Sequence, residues 1–171
     1  IYMNNICIIL TGQMRTYNFS PIINSYHKYF KNFKPNSIDL YISTWDKSGY
    51  SYAHGHKNFN IDYSNNLITK ELLIKHYSMY EFFNIKTIQI ESFDDFIKDL
   101  PPDLYKIYKM PFKGHAPVST SVPIQYKLQQ AINLLPKINI YNTIHLFRPD
   151  NEIVCKLPNI INDNIIYYKC N

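Results

Sequence analysis

Glycine is scarce in this chain, with four residues against 16 tyrosines and 10 phenylalanines in 171. Gly-rich low-complexity and collagen-like classes are thereby excluded, and an aromatic share of 16% excludes a disordered composition. Cysteine is scarce too. Cys7, Cys155 and Cys170 are odd in number, widely spaced and free of any C-x-x-C pattern, which excludes a disulfide framework and argues for a reduced, cytoplasmic setting. No apolar stretch reaches the length of a membrane-spanning helix, and the apolar start at residues 6–10 is too short for a signal peptide. Acidic side chains are the minority, 13 against 18 Lys and Arg, for a formal charge of +5. The excess suits a polyanionic ligand. It is spread as single lysines, whereas a nucleic-acid surface concentrates its charge.

Residues 6–10 form a continuous apolar run, as in a parallel strand covered on both faces. Thr11-Gly12-Gln13 breaks it, and Ser20-Pro21 opens a helix carrying Ile22, Ile23, Tyr26, Phe30 and Phe33 at helical spacing. A second strand, 38–44, ends at Trp45-Asp46. Residues 47–66 show no period and read as a long excursion on the rim of the sheet; His54 and His56 within it lack a third metal ligand nearby. Thr69 caps a helix running to Tyr80, 85–90 reads as a third strand, and Ser92 with Asp95 opens a short helix that Pro101-Pro102 ends. Residues 105–121 read as irregular. Pro123 then begins a helix with an apolar stripe of Ile124, Leu128, Ala131, Ile132 and Leu135, followed by a central strand at 143–147. The alternation predicts one α/β domain over residues 1–171. Its sheet is mostly parallel, flanked by helices and joined by right-handed crossovers, with a site at the carboxyl ends of the strands. A strand-like stretch at 165–168 stands close to the end, so a piece of a longer chain is also expected.

Three polar clusters fall after strand ends. Thr11-Gly12-Gln13-Met14-Arg15 offers close backbone approach at Gly12 and a forked phosphate donor in Arg15; a turn glycine and a solvated arginine are the plainer account. Ser43-Thr44-Trp45-Asp46 places the only tryptophan beside an acid at the expected rim, although a lone Trp is more often core. Arg148-Pro149-Asp150-Asn151-Glu152 delivers two carboxylates at i and i+2 as the strand breaks, an arrangement able to hold a divalent cation, or a simple polar turn. No P-loop, G-x-G-x-x-G or G-x-S-x-G spacing is present.

Taken in order, I-I-L-T-G-Q-M-R-T-Y, I-D-L-Y-I-S-T-W-D, P-I-Q-Y-K-L-Q-Q-A-I-N-L-L and I-H-L-F-R-P-D resemble a GT-A-type glycosyltransferase domain. The likeness is to viral and bacterial polysaccharide-synthesis proteins with a G-x-x-R, a T-W-D and an R-P-D after successive strands, and it spans residues 6 to about 154. The resemblance implies a Rossmann-like nucleotide-binding half and a nucleotide-sugar donor contacted by Thr11, Gly12, Arg15, Trp45, Asp46, Gln125 and Arg148. It also implies a Mn or Mg ion at Asp150 and Glu152, where the family's second acid is Asp, and a glycan or other hydroxyl acceptor. It assigns no catalytic base. A non-catalytic nucleotide-sugar-binding module and a nucleic-acid-binding α/β domain are the alternatives.

Overall fold

A computed structural model describes residues 6–15, 17–18, 20–48, 66–109, 118–136, 140–150 and 153, excepting the side chains of 107–109 and 118–121. Residues 49–65 of the rim excursion, with His54 and His56, the strand-like 165–168, Glu152, Cys155 and Cys170 lie outside the described residues.

Among the described residues four strands pair in the order β3-β2-β1-β4, every pairing parallel: β1 (Ile6–Gly12), β2 (Ile38–Trp45), β3 (Phe83–Glu91) and β4 (Thr143–Phe147). The expected parallel α/β sheet with flanking helices is what forms, in a Rossmann-like strand order. The sequence IDLYISTW of β2 is buried along almost its whole length, as a strand with covered faces requires. Strand β4 differs from its expectation. It stands at the margin of the sheet among the described strands and is mostly half-buried, so its apolar side chains cover one neighbour rather than fill a centre.

Period-two alternation sorts the side chains of β1 between two cores. Ile6, Ile8 and Leu10 pack with Ile22, Tyr26 and Phe30 of α1 (Ser20–Phe30) and Leu73 and Tyr77 of α2 (Lys70–Tyr77). Cys7 and Ile9 face Ala131 of α5 (Val118–Asn133). Burial pushes the Cys7 thiol up to about 12, so it is a protonated core residue. The abundant aromatics find their place on the first face: Tyr26, Phe30, Tyr77, Tyr80, Phe82 and Phe83 form a continuous web of edge and tilted ring contacts.

The helix caps follow their sequence signals. Thr69 accepts the Leu72 N–H and Ser92 that of Asp95, which opens α3 (Phe93–Lys98). Two helical expectations change. Pro102 begins α4 (Pro102–Lys109), where a first-turn proline lacks a donor the helix does not need, so part of the stretch read as irregular is helical. Helix α5 starts at Val118, five residues before the expected Pro123, and buries Pro123, Lys127 and Ala131 at i, i+4 and i+8. Ile124 and Ile132 of the expected stripe are exposed. The helix is rotated because Lys127 has a charged partner on the sheet, which an apolar pattern cannot register. Among the described residues no helix is long and apolar enough to cross a membrane.

His76 sits in the aromatic web, edge-on to Tyr17 and Tyr77 with centroids 4.8 Å away from each. Its Nε2 is buried without a hydrogen-bond partner among the described residues, and burial lowers its pKa from 6.5 to about 4. The unfolded chain therefore takes up a proton below pH 6.5 that the folded chain refuses until about pH 4, so stability falls as pH drops through that window. His76→Phe keeps the ring contacts and removes the titration. Thermal melts from pH 7 to 4 should show a shallower loss for His76→Phe than for wild type; parallel profiles would contradict this assignment.

Candidate functional site

The chain steps outward from β1 to β2 to β3, then returns to place β4 on the other side of β1. The connection out of β1 leads to α1 on one face and the connection into β4 comes from α5 on the other, so the carboxyl ends of β1 and β4 flank one crevice, the position where doubly wound sheets bind ligands. Strand β1 runs in register with β2 as far as Gly12 opposite Thr44, while its pairing with β4 ends at Leu10 opposite Phe147. The residues after each strand, Gln13-Met14-Arg15 and Arg148-Pro149-Asp150, enter the same space.

Gly12 has φ of 110°, a conformation that strains any side-chain-bearing residue, and its carbonyl accepts the Thr44 hydroxyl at 2.7 Å. A Cβ there would meet nothing within 4 Å, so the glycine is required by backbone angle and leaves open space beside it. Met14 is fully buried in the first core and anchors the loop. Arg15 follows it directly.

Asp150 draws two arginines together. Arg148 donates from Nε to Oδ1 at 3.0 Å and from Nη2 to Oδ2 at 2.8 Å, a side-on fork, and Arg15 Nη2 lies 3.0 Å from Oδ2. The side chains of Asp150 and Arg15 are 11% and 19% exposed, that of Arg148 47%. Burial lowers the Arg15 pKa, Asp150 works against that shift, and Arg148 adds to it. The loop carrying Asp150 is pinned to α1: Ser25 Oγ accepts the Ile153 N–H at 3.1 Å and donates to the Ile22 carbonyl at 2.7 Å. The two motifs thus meet through a carboxylate.

Strands β2 and β3 end in a second constellation on the α5 face. Trp45 pairs in register with Glu91. Lys127, fully buried, bonds Glu91 Oε2 and lies over the indole at 4.3 Å from the ring centroid, and Tyr126 donates to Glu91 Oε1 at 3.0 Å while stacking on Trp45. Burial lowers the Lys127 pKa, and Glu91 offsets this. Trp45 is buried beneath these groups and beside Phe93 and Phe96. A cavity of about 800 Å³ adjoins them, walled by Trp45, Phe96 and Tyr126 and bordered by Asp95, Asp99 and Gln125. Asp46 Oδ1 accepts the Phe93 N–H at 3.0 Å, so its carboxylate holds the start of α3.

The expected site residues therefore divide. Gly12, Arg15, Arg148 and Asp150 share the β1/β4 crevice; Trp45 and Gln125 line the aromatic cavity, and Asp46 stands beside it. Thr11 alternates onto the α5 face with Cys7 and Ile9, and its hydroxyl is buried without a hydrogen-bond partner among the described residues. Glu91, Tyr126 and Lys127 escaped sequence reasoning. The available signal was Lys127 four residues before Ala131 on the same side of the helix.

As a test for a divalent ion, both oxygens of Asp150 already accept guanidinium N–H groups, and among the described residues two guanidiniums stand against one carboxylate there. Among the described residues no three His, Cys, Asp or Glu side chains gather as metal ligands. Among the described residues Asp150 is thus committed to two arginines, and Glu152, the other expected ligand, lies outside them. No family model, curated protein or solved structure matches this chain.

The Lys127–Glu91 pair between α5 and β3 makes its own prediction. Glu91→Gln leaves the Lys127 ammonium without its counter-charge and should cost about 1–3 kcal/mol in chemical denaturation, below the full cost for a dry pair because Glu91 is part-exposed. Adding Lys127→Met should restore part of the loss, and strictly additive losses would contradict a coupled pair.

Proposed function

We propose that this chain is the donor-binding part of a glycosyltransferase that moves a sugar from a nucleotide-sugar to a hydroxyl acceptor, with a GT-A-like arrangement of its motifs. The observation that carries the reading is the gathering of Arg15 and Arg148 around Asp150 in the β1/β4 crevice. Negative charge builds on the departing nucleoside diphosphate as the glycosidic bond breaks. Guanidiniums fixed on a carboxylate, that of Arg15 part-buried, stabilise that charge, and their planar forks match phosphate oxygens in pairs.

Gly12 lets the backbone come close to the diphosphate from the β1 side. The acceptor belongs in the neighbouring cavity, whose rings offer flat apolar faces to a sugar and whose carboxylates at Asp95 and Asp99 offer acceptors to its hydroxyls. Transfer needs in-line placement of that hydroxyl more than covalent chemistry from the protein. A module that binds the donor without transferring it shares the first half of this account, and sugar release from the donor separates the two. A cytoplasmic setting accords with Cys7 as a buried thiol.

Calorimetric titration with a panel of nucleoside diphosphates should show one base bound preferentially. Arg148→Ala should weaken that binding by roughly tenfold to a hundredfold, the loss of a charge-assisted contact worth about 1.5–3 kcal/mol, with an unchanged circular dichroism spectrum. Equal affinity in a folded Arg148→Ala protein would contradict the assignment.

A further inference from the structure

The crevice contains a carboxylate where the resemblance places a metal ligand, yet the geometry around it is that of an arginine clamp. Arg148 turns two of its five N–H donors, on Nε and Nη2, to the two oxygens of Asp150. Arg15 approaches Oδ2 from the other side. Asp150 is the most enclosed of the three and Arg148 the most open, so a ligand entering the crevice meets the guanidinium of Arg148 before it meets the carboxylate. Two guanidiniums confined this closely repel each other, and Arg148 depresses the Arg15 pKa for that reason. Asp150 is what lets them share the site. The same two positive charges oppose a divalent cation, and any cation held by Asp150 would have to displace donors already in place.

Resting on the donor-binding reading above, we propose that Asp150 is a positioning residue for an arginine pair, and that this pair neutralises the donor diphosphate without a divalent ion. The ligand class is a nucleoside diphosphate or its sugar ester. Pyrophosphate carries the same recognition element, weakened by the absent base. Arg148 uses fork geometry on Asp150 and is 47% exposed with further N–H groups beyond those two, so Arg148→Lys, a point charge with no fork, should not substitute for it.

The test is calorimetric titration of the preferred nucleoside diphosphate into the full chain, in Mn buffer and again in EDTA. Wild type should bind within about twofold of the same affinity in both. Asp150→Asn, similar in shape but uncharged, should lose affinity by the same factor in both buffers, because its effect runs through the arginines. Arg148→Lys and Arg148→Ala should be similarly weakened, again in both. Binding by wild type only in Mn, with the Asp150→Asn loss confined to Mn, overturns this inference and leaves the donor-binding reading standing. Absence of binding of any nucleoside diphosphate by wild type in either buffer overturns both. The wild-type comparison needs no variant, so a misfolded Asp150→Asn protein does not shield the proposal.

Discussion

Strand β1 is hydrogen-bonded on both sides in the parallel sense, to β2 from Ile6 to Gly12 and to β4 from Ile6 to Leu10. Parallel pairing sends all strand exits to one edge of the sheet. A chain that winds outward through β2 and β3 and then returns beyond β1 must part its connections between β1 and β4. Arg15 and Arg148, 133 positions apart by their numbers, become neighbours for that reason alone. The register adds the finer placement: β1 outlasts its pairing with β4 by two residues, so the Gly12 turn and the Arg148-Pro149-Asp150 turn overlap rather than pass each other.

Electrostatics then divides the edge into two regions. In the crevice, two arginines share one carboxylate, and positive charge is in excess among the described residues. On the α5 face, a buried lysine is matched by Glu91 and covered by an indole, while Asp95 and Asp99 border the cavity beside it. On the proposed function, a diphosphate takes the first environment and a hydroxyl-rich sugar the second. The division also explains why Trp45 is not an open stacking platform: it is buried against Tyr126 and Lys127, and it holds the cavity wall in place.

Much of this was legible in the residues. The strand cores at β1, β2 and β4 announce themselves as continuous apolar runs, and Thr69 and Ser92 are caps with a hydrogen-bonding mechanism behind them. Arg15 and Arg148 were legible as post-strand positions once a parallel sheet was inferred. What escaped was pairing between side chains distant in sequence. Asp150 reads as a metal ligand when only Glu152 is considered beside it, and the arginine two residues earlier becomes its partner only when the turn folds back. Lys127 interrupts an apolar stripe, and only the arrival of Glu91 from β3 makes its burial tolerable, which rotates α5 and exposes Ile124 and Ile132. The first turn of α5 was missed because Pro123 looked like a helix start.

The central claim is that one carboxylate holds two arginines at the mouth of the β1/β4 crevice. Nitrogen-edited NMR of the arginine Nε–H groups tests it directly, with Arg15 and Arg148 assigned from the signal each loses on substitution by lysine. Both signals should move when Asp150→Asn is introduced, and both should move again when a nucleoside diphosphate is added to wild type. An Arg15 signal indifferent to Asp150→Asn, or two signals that ignore the diphosphate, would contradict the account.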